Sequence, residues 1–139
     1  MGMNEANDSL SIRETIFIRI KAGGFRQGDV SKAIGVRQGA LSSYLYGRDP
    51  LPYEALEKLC VMLGLGFKVE DTFICEIGML RNVFSEMLKK SGMKTNAFAR
   101  ETGINYTSIS SYIHGNRTFS NKNLEKSFSY LNLHLTIND

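Results

Sequence analysis

Apolar side chains recur three and four residues apart through most of this chain, the spacing that lines one face of a helix. From Gly35 to Gly47, GVRQGALSSYLYG, they fall at Val36, Leu41, Tyr44 and Leu45, leaving Arg37, Gln38, Ser42 and Ser43 on the outer face. A second stretch, GINYTSISSYIHG from Gly103 to Gly115, has the same form. The opening glycines and the closing glycines are both 68 residues apart. One short helix has been written twice.

The offset reaches well beyond that helix. Residues 15–69 slide onto 83–137 without a gap: Lys21 on Lys89, Gly24 on Gly92, Ser42-Ser43-Tyr44 on Ser110-Ser111-Tyr112, and Leu56-Glu57-Lys58 on Leu124-Glu125-Lys126. Such a period is too long for a solenoid, and two copies make a duplicated domain. Each copy predicts a first helix, Ile12–Lys21 or Cys75–Lys90, closed near Gly24 or Gly92. A short helix follows, Gln27–Ile34 or Thr95–Thr102, broken by Gly35 or Gly103, and then comes the repeated helix, stopped by Gly47 or Gly115. A fourth helix runs Pro52–Leu63, with Pro52 in its first turn, or Asn121–Leu131. Leu65, Phe67 and Val69, like Leu133, Leu135 and Ile137, then alternate as one face of a strand does. Residues 70–75 read as the joint between copies or an extension of the first strand. The expected division is a loose tail over 1–11, one copy over 12–73 and the other over 74–139.

Two helices joined by a three- or four-residue turn cross steeply, and a glycine lets that turn take φ > 0. The crossing needs a small residue in the first helix, met by Ser31 and Ala99. It also needs apolar anchors, met by Val30, Ile34, Val36, Leu41 and Tyr44, and by Phe98, Ile104, Ile109 and Tyr112. On these residues QGDVSKAIGVRQGALSSYLYG, Gln27 to Gly47, resembles the helix-turn-helix of Cro and the lambda-like phage repressors. TNAFARETGINYTSISSYIHG is similar and departs further. The resemblance implies a mainly all-α fold of two lambda-repressor-like domains, each of four helices. Strands near Leu65–Phe73 and Leu133–Ile137 would pair in a small sheet, since each edge needs a partner.

It also implies double-stranded DNA as partner and transcriptional regulation as the task. The motif's second helix would lie in the major groove with its N-terminal residues toward the bases. The base-reading positions are then Arg37, Gln38, Gly39, Ser42 and Ser43 in copy one. In copy two they are Asn105, Tyr106, Thr107, Ser110 and Ser111. Arg can grip guanine, Gln or Asn adenine, and Thr or Tyr can touch a thymine methyl. Phosphate contacts would come from Gln27, Lys32 and Arg48, and from Lys94, Arg100, Asn116 and Arg117. Where the family usually has a capping Ser or Thr before its glutamine, this chain has Arg26 and Lys94, and Thr95 stands in the glutamine position as a candidate cap. Single-motif relatives bind as dimers, so two copies in one chain suggest a pseudo-dimer.

Charge is compatible with this and does not require it. The net charge is +3; residues 13–73 hold nine Lys+Arg against seven Asp+Glu, and residues 74–139 hold eight against five. The modest excess, and the uncharged repeated helix of copy two, keep open a second reading. In it the chain is a protein-binding module such as an antitoxin or co-regulator, with a protein partner or a homodimer. Two cysteines, Cys60 and Cys75, make no disulfide framework, and with His114 and His134 they lack metal-ligand spacing. No metal and no cofactor is expected. Ser91-Gly-Met-Lys94 spells a hydrolase motif without its partners, and no phosphate loop, nucleophile elbow or paired-carboxylate site is present, so an enzyme is not expected. The longest apolar run, Leu59 to Phe67, is interrupted by Gly64 and Gly66 and falls short of the ~20 residues of a membrane span. The polar start, MGMNEANDSL, does not read as a signal peptide, and cytoplasmic residence is expected.

Overall fold

The computed structural model describes residues 10–138. The tail expected over 1–11 therefore lies outside the described residues, except for Leu10 and Ser11. The described residues divide into two compact units, one running to Ile77 and resuming at His134, the other Gly78–Leu133. The chain thus leaves the first unit, completes the second, and returns to the first.

The first unit begins at helix α1 (Ile12–Ala22), capped by Ser11. The Ser11 hydroxyl accepts the Glu14 N–H at 3.1 Å, and the Glu14 carboxylate accepts the Ser11 N–H at 3.0 Å. This reciprocal pair satisfies two backbone donors that a helix start otherwise leaves open. Helices α2 (Gln27–Ile34), α3 (Gln38–Leu45) and α4 (Tyr53–Met62) follow. Pro52 is the cap of α4, at φ −55° and ψ 143°, and so stands one residue before the helical turn expected to contain it.

Beyond α4 the strand patterning is only partly realised. Strand β1 (Leu65–Val69) is central in an antiparallel sheet ordered β2-β1-β3, between β2 (Thr72–Ile74) and β3 (Thr136–Ile137). The expected pairing of the two C-terminal strands is present, with Leu65 opposite Ile137 and Gly66 opposite Thr136. It is short: Leu133 and Leu135 are buried outside the strand, and Ile137 is exposed. Residues 70–75 neither prolong β1 nor form a plain joint. The chain reverses at Glu70 and Asp71, both at positive φ (49° and 68°), and pairs Val69 with Thr72 and Phe67 with Ile74. Two left-handed residues in succession suit the twist of a tight hairpin. Gly66 is needed there, because a Cβ on it would fall on the Ile74 carbonyl oxygen.

The second unit holds α5 (Met79–Lys90), α6 (Thr95–Thr102), α7 (Tyr106–Ile113) and α8 (Asn121–Tyr130). The expected start of α5 at Cys75 is too early. Gly78, at φ 94°, is its cap, and Thr72–Ile74 are already spent in β2. The motif helices α6 and α7 reproduce α2 and α3 in length, eight residues each. Even the backbone outliers repeat: Gly64 at φ 70° is matched by Asn132 at φ 59°, asparagine being the side chain that best tolerates that region.

Matched positions build both cores, but with different side chains. Ile16, Val30, Leu51 and Cys60 of the first unit become Phe84, Phe98, Phe119 and Phe128 in the second, all buried, while Tyr44 and Tyr112 are kept. Phe84 is the hub of the second core. Its ring centroid lies 5.5 Å from those of Phe98 and Tyr112, 5.6 Å from Phe119 and 5.7 Å from Phe128. The unit without a sheet fills its interior with rings, each of which buries more area than the smaller side chain it replaces.

Candidate nucleic-acid interface

The turn between α2 and α3 is closed by Gly35, at φ 80° and ψ 30°. The Val36 N–H reaches back to the Ser31 carbonyl at 3.0 Å, which brings α3 across the small Ser31 side chain. In the second unit Gly103, at φ 74°, plays the same part. There the Thr102 hydroxyl donates to the Phe98 carbonyl at 2.8 Å and accepts the Ile104 N–H at 3.3 Å, so a side chain completes what backbone alone completes in the first unit.

These crossings bury one side of each second helix and expose the other. Leu41, Tyr44 and Leu45 are buried, while Arg37, Gln38 and Gly39 are exposed and Ser42 and Ser43 half-buried. In α7, Ile109 and Tyr112 are buried, Tyr106 and Thr107 are exposed, and Ser110 and Ser111 are half-buried. Asn105, also exposed, is the cap of α7, its side-chain oxygen accepting the Thr107 N–H at 2.8 Å. That oxygen is one of the two atoms a bidentate adenine contact uses, so capping competes with the base contact expected of Asn105. Gln38 reaches back along α2: its amide oxygen would stand 3.4 Å from a Cβ placed on Gly28.

The phosphate candidates separate into groups. Gln27 and Lys94 stand at the starts of α2 and α6, and Lys32 and Arg100 in their last turns. Eight helical residues span about 12 Å, so the two ends cannot meet one phosphate. Neither start is capped: Arg26 and Lys94 make no capping hydrogen bond, and Thr95 is the first helical residue rather than the cap. Lys94, Tyr106 and Ser110 are brought together around one groove of the second unit. Arg48, and Asn116 with Arg117, follow the second helices, where their N–H groups bond Ser43 and Ser111 carbonyls.

Two arginines outside the motif hold the ends of the second helices. Arg13 donates to the Leu45 carbonyl at 2.7 Å, and Arg81 to the Tyr112 carbonyl at 2.7 Å and the Arg117 carbonyl at 3.2 Å. Each places a guanidinium at the C-terminal end of the outward-facing helix, where positive charge is favoured. Arg81 also lies 5.1 Å from the Tyr112 ring centroid. They too are 68 residues apart, so extending the repeat two residues upstream would have found them.

Two eight-residue helices, a left-handed glycine between them and a polar outer face are now in place. Residues 84–135 match the Cro/C1-type HTH DNA-binding domain. No curated protein and no solved structure is matched. The matched stretch begins at Phe84, the hub of the aromatic core, and takes in α6, α7 and α8 whole. It lies on the copy whose motif departs further from the Cro and lambda-like pattern. The first copy is outside the match. The departures of copy two, Lys94 and Thr95, lie at one helix end, whereas the match runs on through the buried residues from Phe84 to Leu135. Among the described residues no helix is long and apolar enough to cross a membrane, and no group of three or more His, Cys, Asp or Glu could hold a metal ion.

Proposed function

We propose that this chain is a sequence-specific regulator that binds double-stranded DNA through α7 and, by its parallel construction, through α3. The observation that carries the reading is the Cro/C1-type match over a unit whose α7 turns Tyr106 and Thr107 outward while Ile109 and Tyr112 anchor it. Thr107 and Tyr106 supply thymine-methyl contacts and Ser110 and Ser111 adaptable hydrogen bonds, with Asn105 held mainly as a cap. Arg37 and Gln38 of α3 supply the guanine and adenine contacts, so the copies read different half-sites. Lys94, Arg100, Asn116 and Arg117, with Gln27, Lys32 and Arg48, hold phosphates and set register without reading sequence. Two readers in one chain replace a concentration-dependent dimer by an intramolecular pair.

Selection of bound duplexes from a random pool tests this. Enrichment of two dissimilar half-sites supports two readers; one half-site restricts reading to a single unit; no enrichment overturns the proposal. The absence of charge from α7, YTSISSYI, favours a second reading in which that face grips a protein. Salt separates the two. With five cations on phosphates (Lys32, Arg48, Lys94, Arg100 and Arg117), log affinity should fall against log salt with a slope of about −4.5. A protein contact made by this uncharged helix would show little slope.

A further inference from the structure

The groove that gathers Lys94, Tyr106 and Ser110 has a volume of about 500 Å³ and lies wholly in the second unit. Leu88, Met93 and Ile113 give it an apolar floor, and Lys89 and Lys94 stand at its edge beside Ser85 and His114. In the first unit the matched place carries two rings. Ser85 and His114 correspond to Phe17 and Tyr46, whose rings meet edge to face with centroids 5.5 Å apart. Lys21, matching Lys89, sits 5.4 Å from the Phe17 ring centroid. Two aromatic rings in one copy are thus replaced by a hydroxymethyl group and an imidazole in the other. The imidazole is held in place: its Nδ1 lies 2.8 Å from the Ser110 carbonyl oxygen, which can only accept, so Nδ1 carries the proton.

We propose that this groove binds a small organic anion with a flat apolar body, the body replacing the missing rings and the charge meeting Lys89 and Lys94. The volume is within the range of small-molecule sites, roughly 300–1,000 Å³. A DNA phosphodiester would satisfy the lysines and leave the Leu88–Met93–Ile113 floor uncovered. Tyr106 and Ser110 line the groove and are also proposed base readers, so an occupant competes with DNA. That consequence rests on the function proposed above, whereas binding itself does not.

The test titrates the full chain, without DNA, with phenyl phosphate, phenol and inorganic phosphate, following backbone amide shifts. Phenyl phosphate should bind about tenfold tighter than either fragment alone, with shifts at Leu88, Lys94 and Ile113. Ser85→Phe with His114→Tyr, which restores the pair of rings found in the first unit, should abolish those shifts while the thermal transition stays cooperative. Lys89→Gln with Lys94→Gln leaves the floor intact and should erase the preference over phenol. Equal binding by inorganic phosphate would assign the groove to a bare phosphate, as in a DNA backbone, and overturn the proposal. Unchanged binding by the ring-restored variant would also overturn it. A chain that binds phenyl phosphate but, in a separate titration, no duplex DNA would refute the DNA reading alone.

Discussion

Ser127 offers the sharpest test of how the second core is built. It is fully buried in α8, and its hydroxyl has no hydrogen-bond partner among the described residues. The corresponding residue of the first unit is Leu59, also fully buried. A hydroxyl buried without a partner costs about 1–3 kcal/mol, so Ser127→Ala should stabilise the protein by roughly that much. Alanine also favours a helix over serine, by about 0.5 kcal/mol, and this part must be removed. The exposed Ser129, two residues on in the same helix, supplies the control: Ser129→Ala should gain only the helical part. Urea unfolding with an unchanged m-value measures both. Ser127→Leu separates volume from polarity. The second core carries Phe84, Phe98 and Phe128 where the first has the smaller Ile16, Val30 and Cys60, so leucine at 127 should overpack and cost about 1–3 kcal/mol. If Ser127→Ala destabilises, or gains no more than Ser129→Ala, the hydroxyl has a partner and the reasoning fails.

Other substitutions probe the remaining supports. Gly66→Ala puts a methyl onto the Ile74 carbonyl and should lower the unfolding midpoint sharply and speed amide exchange across β1 and β2; an unaffected midpoint would contradict the crowding. Arg81→Met removes one carbonyl contact at the end of α7 and one at Arg117 beyond it and should cost about 2 kcal/mol while increasing amide exchange over the last turn of that helix. Asn105→Ala should cost about 1 kcal/mol through the lost cap and Asn105→Asp should not; equal losses would return Asn105 to base reading alone. The Ser11 backbone N–H, then its hydroxyl, hold the Glu14 carboxyl below the usual carboxylate range. A lowered folded pKa contributes stability above the unfolded value, about 4.3, and that contribution disappears as pH falls through the folded value. Glu14→Gln should therefore flatten the acid limb of a stability profile, by a small amount because the group is exposed.

The helical framework was legible because period and offset reinforced each other. Gln27–Ile34 and Thr95–Thr102 appear with the predicted bounds, and the glycines that end them are left-handed in both copies. The hairpin was not legible, since its turn uses Glu70 and Asp71 where a sequence reader looks for Asn-Gly or Gly. That hidden reversal also misplaced the start of α5. Base-reading positions could be drawn from the motif, but type alone could not say that Asn105 caps α7 rather than standing free. The groove was concealed for a related reason: nothing joins Ser85 to His114 until Phe17 and Tyr46 are seen meeting at the matched place. Arg13 and Arg81 act on carbonyls about thirty residues away in sequence, and only folding brings such partners together.

The central claim is that the outward face of α7 reads bases. It is tested most directly by fluorescence anisotropy of wild type and Tyr106→Ala/Thr107→Ala on a pool-selected duplex and on a scrambled one. The wild type should prefer the selected duplex, and the variant should lose most of that preference while keeping its affinity for the scrambled one. An equal preference in both proteins, or no duplex binding by the wild type at low salt, would contradict the account.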